Sequence, residues 1–184
     1  DNDLALNGVI SLNKEAVQEA RALDNKDKST IDEYSVYGMP ILLKDNIGAA
    51  GMITTAGSVA LADNNAGDAF ITKRLKEENA IILGKANLSE WAYFLCTGCP
   101  VGYSAVGGQT INPYGRLQFE SGGSSSGSGV SVAANYAVAA IGSETSGSIL
   151  SPSSQNNLVG LKPTIGLLSR SGIVPISSHL DTPG

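Results

Sequence analysis

Serine is the residue type in this chain whose setting most invites chemistry. The tract Ser121-Gly122-Gly123-Ser124-Ser125-Ser126-Gly127-Ser128-Gly129 runs directly into a small-residue, apolar segment expected to be helical, which puts its backbone N–H groups at a helix N-terminus. A flexible Gly/Ser linker rarely ends that way. A phosphate-cradling loop would carry a lysine before its Ser or Thr, and none is present, so nucleotide binding is discounted. A Ser-His-Asp triad is also improbable, because the one histidine, His179, lies near the C-terminus without a partner motif and reads as a polar loop residue. Serine nucleophiles can instead use a lysine base. An unperturbed lysine, pKa about 10.4, is less than about 0.1% neutral at pH 7, so a base role needs a downward shift of about 3 units, or about 4 kcal/mol. Burial can impose that shift, and Lys44 is placed for it at the end of the apolar run Pro40-Ile41-Leu42-Leu43.

Four segments, in order, sharpen the pattern: GMPILLKDN at 38–46, GGSSSG at 122–127, GSETSGSI at 142–149 and GLKP at 160–163. With GGQTINP at 107–113 and GLLSRSGIVPIS at 166–177, they resemble the amidase-signature family, nearest to members that deamidate peptide C-terminal amides or small carboxamides. The resemblance covers about residues 36–184. It implies Lys44 as base, Ser124 as relay after a cis Gly123-Ser124 peptide, and Ser148 as nucleophile. It further implies an oxyanion hole from the backbone N–H groups of Thr145, Ser146, Gly147 and Ser148, with Gly123 and Ser125 in support. Neutral Lys44 would take a proton from Ser124, which would deprotonate Ser148 for attack on an amide, giving an acyl-serine and ammonia. No cofactor or metal is implied. Family turns read acid-x-Gly-Gly-Ser, whereas Ser146 replaces the first glycine here, keeping the donors but narrowing the approach of a bulky acyl group.

The elements that must position these groups are legible from periodicity. A surface helix is expected over 13–23 with Asn13 as cap, a buried strand over 40–43 ending at Lys44, a helix over 68–79 capped by Asp68, and a strand over 80–83. A short helix capped by Asn87 should run through Trp91 and Leu95, a mostly buried helix should span 127–140, and strands are expected at 139–141 and 158–161. The alternation predicts an α/β fold, a mixed and mostly parallel twisted sheet covered by helices, in one domain over 1–184 with its catalytic core at about 36–184.

Composition excludes several classes. Of 184 residues 42% are apolar and 16% charged, which argues against disorder; 12 basic against 17 acidic residues give a net charge of -5 with no basic cluster, so no direct nucleic-acid partner is expected. No long apolar stretch suggests a membrane span, and no signal peptide is visible. Cys96 and Cys99 form a CxxC that reads as incidental loop thiols, slightly favouring a reducing, cytoplasmic compartment. Loop 96–106 is expected to shape part of the substrate entrance. The Asp1 start suggests trimming, and family sequences continue past Asp181-Thr182-Pro183-Gly184, so a partial or minimal amidase core is expected. Two alternatives follow: an inactive assembly module whose open sheet edge needs a partner, with a homodimer as one form, or the amidase subunit of a transfer-RNA-dependent amidotransferase.

Overall fold

Branched apolar residues make the central strands, and one charged residue on each of two of them sets their depth. The computed structural model describes residues 5–29 and 31–184. Strands β1 (Val9–Leu12), β2 (Pro40–Lys44), β3 (Ile81–Ala86) and β6 (Ala139–Ile141) form a four-stranded sheet of order β1-β3-β2-β6. β2 runs parallel to both neighbours, while β1 is antiparallel to β3. Two short antiparallel pairs flank it: β4 (Tyr103–Ser104) with β5 (Gly108–Gln109), and β7 (Ser143–Glu144) with β8 (Thr182–Pro183). The helices are α1 (Ala16–Asp24), α2 (Phe70–Glu77), α3 (Ser126–Ala133) and α4 (Leu150–Gln155). The architecture is the expected α/β one. Leu43, Ile47, Ala69 and Ile82 form the core between sheet and α2, and Leu42, Ala86 and Ala137 a second cluster on the other face. Among the described residues no helix is long and apolar enough to cross a membrane.

Local expectations fail where a polar side chain finds a better partner than its own helix end. Helix α1 begins at Ala16 with Glu15 at its N-cap; the Asn13 amide donates to Ile82 O on β3 (2.9 Å) while its side-chain carbonyl accepts from Glu15 N, so Asn13 ties the approach to the helix to the sheet and is not the N-cap. Asp68 similarly accepts from Ala50 N at 2.7 Å and pairs with Lys76, leaving Ala69 at the N-cap of α2. Asn87 is a hub: its amide reaches Asn7 O, Gly108 O and Thr110 Oγ1, and Ser104 Oγ donates to its carbonyl. The helix expected after it is replaced by a short left-handed turn, Glu90–Tyr93. Helix α3 stops at Ala133 because Asn135 turns the chain with φ 59°. Residues 158–161 form no strand; Val159 and Leu161 are exposed. Cys96 and Cys99 are joined in a disulfide rather than being free thiols, which removes the ground for preferring a reducing compartment.

β3 runs three residues further than its apolar run suggests, through Gly84-Lys85-Ala86. It can do so because Lys85, wholly buried, meets the wholly buried Asp45 at 2.9 Å and donates to Thr54 Oγ1 at 2.9 Å. Asp45 also accepts from Thr55 N and the Thr55 hydroxyl. Removing one partner leaves a buried charge uncompensated, at a cost of about 3–5 kcal/mol. Asp45→Ala should therefore lower the urea midpoint sharply, and adding Lys85→Met in the same chain should recover a good part of the loss.

Candidate active site

β2 delivers Lys44 to the C-terminal end of the central parallel strand, where open α/β sheets place their ligands. The side chain is completely buried. Its Nζ lies 2.7 Å from Ser124 Oγ and 3.0 Å from Ser143 O. Among the described residues no carboxylate lies within ion-pair distance of it. Burial therefore dominates and lowers its pKa from 10.5 to about 7, with the through-space attraction of Glu144 and then Asp181 restoring only part of the shift. A neutral amine suits both contacts, since an N–H donates to the Ser143 carbonyl while the lone pair accepts from the Ser124 hydroxyl.

Ser124 is fixed by its neighbours on both sides. The Gly123-Ser124 peptide is cis. Before it, Gly122 has φ +66°, and a Cβ there would sit 2.7 Å from Pro152 Cα, so only glycine lets the loop pass α4. Ser89 N donates to Ser124 O, and Ser125 N donates to Ser148 O at 3.1 Å, stitching the Ser124 loop to the Ser148 turn. Ser125 Oγ donates to Ser143 O at 3.2 Å and accepts from Ser143 N at 3.3 Å, so it braces β7 behind the site.

The turn from β7 into α4 carries the remaining candidates. Gly147, at φ +80°, makes the bend. Glu144 anchors it: its Oε2 accepts from Ile149 N (2.7 Å) and Leu150 N (3.0 Å), and its Oε1 faces Lys162 Nζ at 3.5 Å. Burial alone would raise the Glu144 pKa, but the N–H groups of Leu150, Ile149 and Gly147, with Lys162, outweigh it and hold the carboxyl below its usual range. Thr145 Oγ1 donates to Asp181 Oδ1 at 2.5 Å, while Asp181 Oδ2 accepts from Ile176 N and Ser177 N. One carboxylate thus ties the turn to the C-terminal segment.

A cleft of about 520 Å³ brings Gly123, Ser124, Thr145, Ser146, Gly147 and Ser148 together. Among the described residues Ser148 Oγ makes no hydrogen bond, and the N–H groups of Ser146 and Ser148 engage no acceptor. The wall opposite comes from Ala92, Tyr93, Phe94 and Val101; of loop 96–106, only Val101 reaches the cleft, and His179 stands outside it. Spacing and periodicity reveal neither the Asp45–Lys85 pair nor the anchoring Asp181, and they mark Glu144 only as a residue of the turn. The available signal was charge inside apolar context, as in GKAN at 84–87.

A parallel sheet end presenting a buried, uncharged-prone lysine, a serine in contact with it and a glycine-bent turn bearing a second serine defines a serine-lysine type of site. The Amidase family profile matches residues 2–184, and the chain belongs to that family. It is 49% identical over 183 residues to a probable amidase of Arabidopsis thaliana, covering 97% of this chain and 36% of that protein. A glutamyl-tRNA(Gln) amidotransferase subunit of Prosthecochloris aestuarii is 41% identical over 171 residues, covering 92% of this chain and 35% of that protein. The crystal structure of peptide amidase from Stenotrophomonas maltophilia superposes with a TM-score of 0.93 at 50% identity, over 100% of this chain and 38% of that one. The chain spans about a third of the length of the curated relatives it matches.

If Lys44 governs the proton of the serine pair, phosphonylation of Ser148 by a fluorophosphonate should accelerate as pH rises through about 7, where Lys44 loses its proton. Lys44→Met should flatten that profile, read by mass spectrometry of the labelled chain.

Proposed function

We propose that this chain carries the catalytic centre of an amide hydrolase acting on linear carboxamides, peptide C-terminal amides among them, and releasing acid and ammonia. The observation that carries the reading is the contact between fully buried Lys44 and Ser124 at 2.7 Å, with the lysine pKa lowered to about 7. Neutral Lys44 withdraws the Ser124 proton as Ser124 takes the proton of Ser148, and Ser148 Oγ attacks the amide carbonyl. The oxyanion forms beside the N–H groups of Ser146 and Ser148 in the Thr145–Ser148 turn, the Gly147 N–H being held by Glu144, and such preorganised donors need no reorganisation. Collapse of the adduct expels ammonia, protonated from Lys44 through Ser124, and water cleaves the acyl-Ser148 bond by the same route in reverse. The peptide amidase of Stenotrophomonas maltophilia, alike across the whole of this chain, supports peptide amides as substrates.

A second reading draws on the sheet edge. Among the described residues β6 pairs only with β2, and beside it a groove of about 320 Å³ is lined by Val132, Val138, Ile149, Leu158, Val159 and Leu161. Val159 is 102% and Leu161 72% exposed. We propose that further polypeptide or a second copy of the chain covers this face; the same surface would serve in an amidotransferase assembly.

Ammonia release from a panel of short aliphatic, aromatic and peptide amides tests the first reading. Ser148→Ala and Lys44→Ala should each cut turnover by about 10³-fold or more, and a folded chain releasing nothing from any amide would remove it. For the second, the double change Val159→Asp with Leu161→Asp should abolish any self-association seen in sedimentation at micromolar concentration.

A further inference from the structure

Beside the cleft, across the Glu90–Tyr93 turn, lies a second cavity of about 290 Å³ lined by Glu90, Trp91, Tyr93, Tyr103 and the Cys96–Cys99 disulfide. Three aromatic side chains and one carboxylate around a small apolar space are the chemistry that holds a substituted ammonium ion, through the negative faces of the rings and a nearby anion. The geometry points to this cavity as a binding site for an alkylammonium group.

The walls are held in place before any ligand arrives. Trp91, Ala92 and Tyr93 are consecutive non-glycine residues in the left-handed region, at φ 53°, 53° and 67°, a conformation that persists only when its surroundings enforce it. Trp91 N donates to Ala56 O at 2.9 Å, Tyr93 Oη donates to Cys99 O at 2.8 Å, and the disulfide closes the loop behind them. Glu90 is fixed by Ala105 N, which donates to its Oε2 at 2.8 Å, and among the described residues no Lys or Arg pairs with Glu90. Its negative charge is therefore available to a ligand. Tyr93 lines this cavity and the cleft alike, so the ammonium group belongs either to the acyl portion of an amide substrate, which rests on the proposed amidase reading, or to a separate small cation.

Trp91 is the only tryptophan in the chain, so its fluorescence reports on this cavity directly. Titration with choline, at constant ionic strength, should give a saturable change, and dimethylbutanol, its neutral carbon isostere, should bind about ten-fold more weakly or not at all. Glu90→Gln, which keeps the acceptor for Ala105 N, should weaken choline by about five-fold. Equal binding of the two compounds, or no saturable change with choline, overturns the inference whatever amide hydrolysis shows. Hydrolysis then identifies the source of the cation. A lower KM for hexanamide bearing a terminal trimethylammonium than for its tert-butyl isostere, lost in Glu90→Gln, makes the cavity a substrate subsite. Equal KM values with choline binding intact make it a separate cation site. Choline binding without hydrolysis of any amide would count against the proposed activity alone.

Discussion

The site depends on an amine buried where, among the described residues, no carboxylate touches it. Moving a lysine pKa from 10.5 to about 7 corresponds to about 5 kcal/mol of disfavoured charge, which the surrounding fold has to sustain. The neighbouring strand shows the alternative. Lys85 is as deeply buried as Lys44, yet it lies 2.9 Å from Asp45; burial lowers its pKa while Asp45 opposes the shift. Register separates the two fates: Leu43 pairs with Lys85 and Lys44 with Ala86, so the two amines sit one residue apart along the sheet. Asp45, directly after Lys44, turns to Lys85 and leaves Lys44 with a hydroxyl and a carbonyl.

The carboxylates near the proposed base act as fasteners of the backbone around it. Glu144 collects the N–H groups at the start of α4, and Asp181 collects those of Ile176 and Ser177 together with the Thr145 hydroxyl. Each holds one side of the 145–148 turn, and neither comes within ion-pair distance of Lys44. Committing these charges to backbone donors keeps the turn rigid while their pull on the lysine stays weak enough for burial to win. Ser125 completes the frame by holding β7 through both the N–H and the carbonyl of Ser143.

Much of this was legible in the residues. An apolar run ending in lysine read correctly as a buried strand, because burial on every side leaves a plain compositional trace, whereas the buried helix expected over 127–140 is made by the Ser/Gly tract itself and ends at Ala133. The Amidase family followed from motifs in order, and the α/β class from the alternation of strand and helix patterns. What escaped were partnerships across long separations: Asn13 with β3, Asp68 with Ala50, Lys85 with Asp45. A capping residue and a residue hydrogen-bonded to a distant strand look alike in sequence, since the same short polar side chain serves both. The disulfide escaped for a related reason, as two cysteines three apart close only if the intervening residues fold back, which they do here through the turn at Thr97-Gly98 with Gly98 at φ 84°.

Asp181 gives the site an order of assembly. Lys44, Ser124 and Ser148 all precede it, yet the 145–148 turn has its outer anchor only when Thr145 meets Asp181 and β8 lies against β7. During synthesis the lysine and both serines leave the ribosome before the residue that locks the turn, and the contacts of Lys44 with Ser124 and with Ser143 O span 80 and 99 positions. Contacts so distant in sequence are slow to form. A nascent chain therefore holds Lys44, Ser124 and Ser148 before Asp181 is there to lock the turn, and the proposed site takes its final geometry only once that residue has joined it.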